Sequence, residues 1–188
     1  MANKVEFGIS NLHIGTYTVS AEGVVTMGTP ITQPGAISLS LDPEEENSEL
    51  FADNTKFWSE YSDQGFSGSV NVAKFSDEFK KAFLGYVELA DGGIAKNKYA
   101  KKPEVYIAFQ AEGDAEGRRM ILYNVTLGGI QREFNTTEAT KTPDTETINM
   151  TVVGDNTTGL TKVGYTKDKT GYNTLFTNPP KPTLPSEA

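Results

Sequence analysis

The sequence predicts a mainly β protein with one short flanking α-helix and long loops. Three observations carry that expectation. Apolar and polar residues alternate with period two through most of the chain. One six-residue run, Met120 to Val125, is apolar on both faces, as a central strand is. Only one stretch has helical spacing.

In chain order, Val5, Phe7 and Ile9 alternate with Lys4, Glu6 and Gly8. Tyr17 and Val19 precede Ala21-Glu22-Gly23 and then Val24 to Met27, a hairpin pattern. Ile37, Leu39 and Leu41 alternate with Ala36, Ser38 and Ser40, and Phe66, Val70 and Val72 alternate with Ser67, Ser69 and Asn71. Val105, Ile107 and Phe109 repeat the pattern, and Ile148, Met150 and Val152 alternate with Thr147, Asn149 and Thr151. Such strands bury one face and wet the other, as antiparallel sheets do. The helix is expected over about 76–85. Ser76 is an N-cap, Asp77 and Glu78 suit the positive end of the dipole, Phe79 and Phe83 share a face, and Gly85 closes it.

Three stretches lack a pattern. Residues 42–65 read as a long loop holding Pro43, an acidic run and the aromatics Phe51, Phe57, Trp58 and Tyr61; their apolar bulk argues against simple disorder. Asp91 to Lys102 reads as a second loop. Asn178 to Ala188 holds four prolines and reads as a trailing, flexible tail, leaving residues 1–177 as one domain.

Composition narrows the function. A chain of 188 residues buries roughly 70% of its unfolded surface and folds without staples. The absence of cysteine removes disulfides, thiolate metal sites and thiol catalysis. A net charge of −8 repels phosphates and argues against a sequence-reading nucleic-acid binder. The start has no signal-peptide pattern, and no window approaches the ~20 apolar residues of a membrane helix, so a soluble, non-exported chain is expected.

Catalytic motifs fail on inspection. His13, the one histidine, would have to serve any Ser-His-Asp arrangement and reads better as structural. Gly65-Phe66-Ser67-Gly68-Ser69 lacks the final glycine of a nucleophile elbow and lies in a strand pattern. Gly154-Asp155-Asn156-Thr157-Thr158-Gly159 has phosphate-loop glycines, but Leu160 stands where lysine is needed. Asp42, Glu44, Glu45, Glu46 and Glu49 lack the spacing and turn glycine of a calcium loop and read as a solvated acidic segment. The sequons at Asn124, Asn135, Asn149 and Asn156 matter only in a secreted eukaryotic protein. No catalytic, cofactor or metal site is expected. The residues alone therefore point to a β-rich assembly or binding module, because aromatics on loops and open sheet edges both seek partners.

Several segments, in order, resemble the major tail proteins (tail-tube subunits) of siphovirus-type bacteriophages of Gram-positive bacteria. They are Lys4 to His13, Pro34 to Pro43, Phe51-Ala52-Asp53-Asn54 through Gly65-Phe66-Ser67-Gly68 to Phe79 and Leu84-Gly85, then Arg119 to Val125, Thr145 to Ile148, and Gly171 to Phe176. The likeness spans about residues 4–176. The Pro-rich end lies outside it, and the C-terminal immunoglobulin-like decoration domain that some tail proteins carry is not expected here.

The resemblance implies a β-sandwich or barrel-like core with a flanking helix. It implies a virion-tail subunit assembled in the host bacterial cytoplasm, with six copies to a ring and rings stacked around a tape-measure protein. Neighbouring subunits would pair their sheets into one inner barrel, with tail-terminator and distal-tail proteins at the ends and DNA only as passing cargo. Six copies would carry a formal charge of −48, six times −8, which would keep DNA from sticking to the bore. Ser38, Ser40, Ser67, Ser69, Asn71, Thr147, Asn149 and Thr151 are candidates for the lumen surface, or else face outer solvent. Phe51, Phe57, Trp58 and Tyr61 are candidates for subunit contact, or else pack on their own core. The alternatives are another tail or baseplate component, a surface-displayed β-rich binding module, and a carboxylate-pair glycan hydrolase.

Overall fold

The structure is a computed structural model that describes residues 8–113, 117–136 and 143–185. Val5 and Phe7 of the first alternation, and the last three residues, lie outside these. The elements in order are β1 (Ile9–Val19), β2 (Val25–Met27), β3 (Ile31–Thr32), β4 (Ala36–Ala52), β5 (Thr55–Val72), α1 (Asp77–Phe83), β6 (Tyr86–Glu88), β7 (Ile94–Lys96), β8 (Val105–Ala111), β9 (Arg119–Arg132), β10 (Glu146–Val152), β11 (Lys162–Tyr165) and α2 (Thr170–Thr174). The protein is mainly β. One large antiparallel sheet runs β2-β1-β8-β9-β10-β5-β4, with β11 on β9 and β3 on β1, and β6 and β7 form a separate hairpin.

The expected central strand is β9, which pairs with β8 on one side and with β10 and then β11 on the other. It is buried on both faces because each face meets its own core. Leu122, Val125 and Leu127 join Val70, Val72, Ile107, Ile148 and Met150, and α1 lays Phe79 and Phe83 against this side. Ile121 and Tyr123 face the other way, onto Tyr17, Tyr106, Ala108 and Leu175. β8 was expected to wet one face. Instead both of its faces are buried, because the segment around α2 covers the second.

Strand parity changes at bulges, where one strand gains a residue and its side chains swap faces. On β9 the pairing steps from Leu122 to Val125 while β8 advances only from Ile107 to Val105. Asn124 takes up the slack at φ 51 and donates from its side chain to the Gly154 carbonyl, 2.9 Å away. On β4 the register shifts between Ala36 and Ser38. Ala36 therefore joins Leu39 and Leu41 on the core side, and Ile37 is exposed. This corrects the simple alternation, which put Ile37 inward.

The helix forms where expected. Ser76 caps it by accepting from Phe79 N at 3.2 Å, and Gly85 follows Leu84 with φ 71, a left-handed closing position. Gln33 staples its start, accepting from Ser76 N and donating to the Lys74 carbonyl.

Three further expectations are corrected. Residues 42–65 are not a loop: they are the distal halves of β4 and β5, paired from Glu45↔Asp63 to Ala52↔Thr55 and joined at Asp53-Asn54, both at positive φ as a two-residue hairpin turn requires. Residues 91–102 include β7, which pairs with β6. The Pro-rich end does not trail from its start. Pro179 and Pro182 are buried, and Tyr123 Oη donates to the Pro180 carbonyl at 2.9 Å. Among the described residues no helix is long and apolar enough to cross a membrane.

Candidate functional site: a polar sheet face and a protruding arm

Antiparallel pairing brings all eight lumen candidates onto one face of the sheet. Three cross-strand rows form it. Thr151 pairs with Ser67, which pairs with Asp42; Asn149 pairs with Ser69 and Ser69 with Ser40; Thr147 pairs with Asn71 and Asn71 with Ser38. The apolar partners between them in sequence, Ile148, Met150, Val70 and Leu39, face the core on the opposite side. Thr126 of β9 extends the first row.

The hydroxyls and amides hold one another. Ser40 Oγ and Ser69 Oγ lie 3.0 Å apart, Ser69 N donates to Ser40 Oγ at 3.1 Å, and Asn71 Nδ2 donates to Thr147 Oγ1 at 2.7 Å and Thr145 Oγ1 at 3.2 Å. Of the residues in the three rows, only Asp42 carries a charge. The face dips into an open concavity of about 520 Å³ floored by Gly68 and Gly128. Gly68 is required there: a Cβ would come within 2.0 Å of the Ser40 carbonyl oxygen.

Beyond Pro43 and Phe66 the hairpin leaves the sheet. Gly65, at φ 98 and placed where a Cβ would meet the Val152 carbonyl oxygen at 2.1 Å, marks the departure. Every residue from Asp42 to Gln64 is exposed. Nine residues of strand on one side, 44–52, reach about 30 Å at ~3.3 Å per residue. Phe51, Phe57, Trp58 and Tyr61 all lie on this arm, 63%, 76%, 46% and 66% exposed, so they do not pack on the core of their own chain.

The arm has two distinct faces. β4 alternates without interruption from Ser38, so its even-numbered residues continue the polar sheet face. Leu50↔Trp58, Ser48↔Glu60 and Glu46↔Ser62 form that face, with Asp42 and Glu44 below them. The opposite face carries Phe51↔Lys56, Glu49↔Ser59, Asn47↔Tyr61 and Glu45↔Asp63. Here Lys56 pairs with Glu49 and holds its carboxyl below the usual range, while Asn47 Nδ2 donates to Glu49 at 2.7 Å and Ser59 Oγ to Asn47 at 3.0 Å. Phe57 is the extra residue at a bulge near the tip. Among the described residues no three of these carboxylates come together as a metal-holding group.

Charge is concentrated in this element. Residues 42–65 hold eight carboxylates and one lysine, a net of −7. The remaining 16 basic and 17 acidic residues leave a net of −1 for the rest of the chain. The arm is what makes the protein acidic. Sequence reasoning found the residues but missed this geometry, since exposed polar residues on both faces erase the alternation that marks a strand.

The motifs set aside above have structural employment. His13 Nδ1 donates to the Asn11 carbonyl at 2.8 Å, leaving Nε2 to accept from Thr32 Oγ1 at 3.0 Å, and the ring stacks on Phe176. Gly65 to Ser69 lies in β5. In the 154–159 loop Asp155 is buried. It accepts from Tyr17 Oη at 2.6 Å, Thr158 N at 2.7 Å, Thr158 Oγ1 at 2.8 Å and Thr157 N at 3.2 Å. Burial works to raise this carboxyl, but the hydrogen bonds outweigh it and hold the group below its usual value. Burial first, and then the Asp155 carboxylate, push the Tyr17 phenol far up.

No protein-family model matches this chain, and no curated protein matches it.

Proposed function

We propose that this protein is the structural subunit of a bacteriophage tail tube, assembling as stacked six-membered rings whose bore passes DNA. The observation that carries the reading is the pairing of a hydroxyl-rich sheet face, charged only at Asp42, with a protruding arm that has no partner among the described residues of its own chain. A bore that conducts DNA needs a surface that neither binds bases nor attracts phosphates. The polar rows of β10, β5 and β4 have that character, and the even-numbered arm face adds Asp42, Glu44, Glu46 and Glu60 as repulsive groups above them. An isolated two-stranded hairpin is marginal in water. This arm exposes aromatics on both faces, and no described strand pairs with either of its outer edges, so pairing with neighbouring copies would complete it. The order of motifs along the chain supports the same reading.

Electron microscopy of the concentrated protein is the direct test, with six-membered rings or hollow tubes as the expected result. Trp58→Ala should leave the monomer folded, because Trp58 contributes nothing to either core, and should block tube growth. A variant that forms normal tubes removes Trp58 from the interface. A distal-tail or baseplate component could use the same arm; a subunit count in intact virions separates these, since a tube subunit is present in many copies.

A further inference from the structure

A second exposed, charged and aromatic element lies on the same polypeptide. Segment 94–102 carries Lys96, Lys98, Lys101 and Lys102 and no acid. Lys102 is engaged, donating to the Leu127 and Gly128 carbonyls; burial, with Lys96 nearby, disfavours its charge. Lys96, Lys98 and Lys101 are exposed, and no described carboxylate pairs with them. Between them stands Tyr99, 82% exposed, with the Lys98 ammonium over its ring. A basic, aromatic patch is thus left bare by the same chain whose acidic, aromatic arm is also bare.

The sheet register sends the two in opposite directions. The arm leaves beyond the row Pro43–Phe66–Val152–Val125, whereas Lys96 and Lys102 sit against Gly129 and Leu127, on the other side of that row. A contact between arm and patch therefore joins two copies head to tail, a heterologous contact that propagates.

We propose that the arm of one copy docks on the 94–102 patch of the next, with Glu45 and Asp63 against Lys96 and Lys98, and Tyr61 against Tyr99. These arm residues lie on the face away from the polar rows, so docking leaves the even-numbered acids free to line the bore. The charges also set polarity: arm against arm would juxtapose two −7 elements, and patch against patch two lysine clusters. The proposal rests on the reading of the arm as a contact between copies, and names what it contacts.

The chain lacks cysteine, so single thiols can report the contact. Full-length Glu45→Cys and Lys98→Cys proteins are mixed at tube-forming concentration under oxidising conditions. Glu45→Cys mixed with Asn156→Cys is the control. A mixed disulfide dimer is expected in the first pair at least about ten-fold above the control, falling as added salt shortens the screening length to ~3 Å near 1 M. Equal cross-linking in both pairs, or none in the first, overturns the docking. Micrographs of the same samples separate the two readings. Tubes without the cross-link sink the docking and leave the tube; the cross-link without tubes does the reverse; neither sinks both. As a second line, Lys96→Glu with Lys98→Glu should abolish association, and Glu45→Lys with Asp63→Lys in the partner should restore it.

Discussion

Asp155 shows how a residue in a phosphate-loop-like motif became structural. One buried carboxylate closes the 154–159 turn through two backbone amides and ties it to β1 through Tyr17. Its folded-state pKa lies below the ordinary value, so its stabilisation is complete above about pH 5 and fades as the pH falls through ~4 and below. Asp155→Asn should cost about 1–3 kcal/mol at pH 7 by urea denaturation, and the gap to the native protein should narrow at pH 3. Gly68 is the second residue whose chemistry is fixed by a neighbour. Gly68→Ala would drive a methyl into the Ser40 carbonyl and should destabilise by about 1–3 kcal/mol in thermal melts. Gly129→Ala meets only the end of the Lys96 side chain and should stay within about 0.5 kcal/mol.

The arm is the element on which the functional reading turns. Its cross-strand hydrogen bonds have water on both sides and no layer packed against them, unlike the proximal halves of β4 and β5, where Leu39, Leu41, Val70 and Val72 reach the core. Hydrogen exchange should therefore divide one hairpin in two. Amides between Glu45 and Gln64 should exchange rapidly in the isolated protein, while those between Gly68 and Val72 are protected; assembly should slow the first group sharply. Arm amides that stay unprotected in assembled material would count against any role for the arm in subunit contact. The helix behaves differently. Phe75 stacks on Phe79 and Phe79 meets Phe83 edge to face under the sheet, and Phe79→Ala should cost about 3–5 kcal/mol, read by chemical denaturation, with no arm involved.

Across the whole molecule, apolar burial and charge are segregated. The two cores hold the large side chains of β1, β8, β9 and β10, with α1 on one side and the α2 segment on the other. Arg119 fastens that last segment, lying over the Tyr172 and Phe176 rings and donating to the Tyr172 carbonyl at 2.6 Å. A nearly neutral body thus carries a long arm holding almost all of the net charge. In the proposed assembly such a body would approach its own copies without general repulsion, and the arm would govern which surfaces meet.

The class of fold, the interior strand, the capped helix and the polar faces of β4, β5 and β10 were all legible in the order of residues. Each depends on local spacing, where one buried face imposes period two or one capping side chain satisfies a free amide. The rest depended on contacts between distant segments. The arm carries no burial signal, since both of its faces meet water. The Pro-rich end binds through Tyr123 and a carbonyl 57 residues away. The bulges at Ile37 and Asn124 reverse which side chains point inward, and they exist only because a neighbouring strand fixes the register.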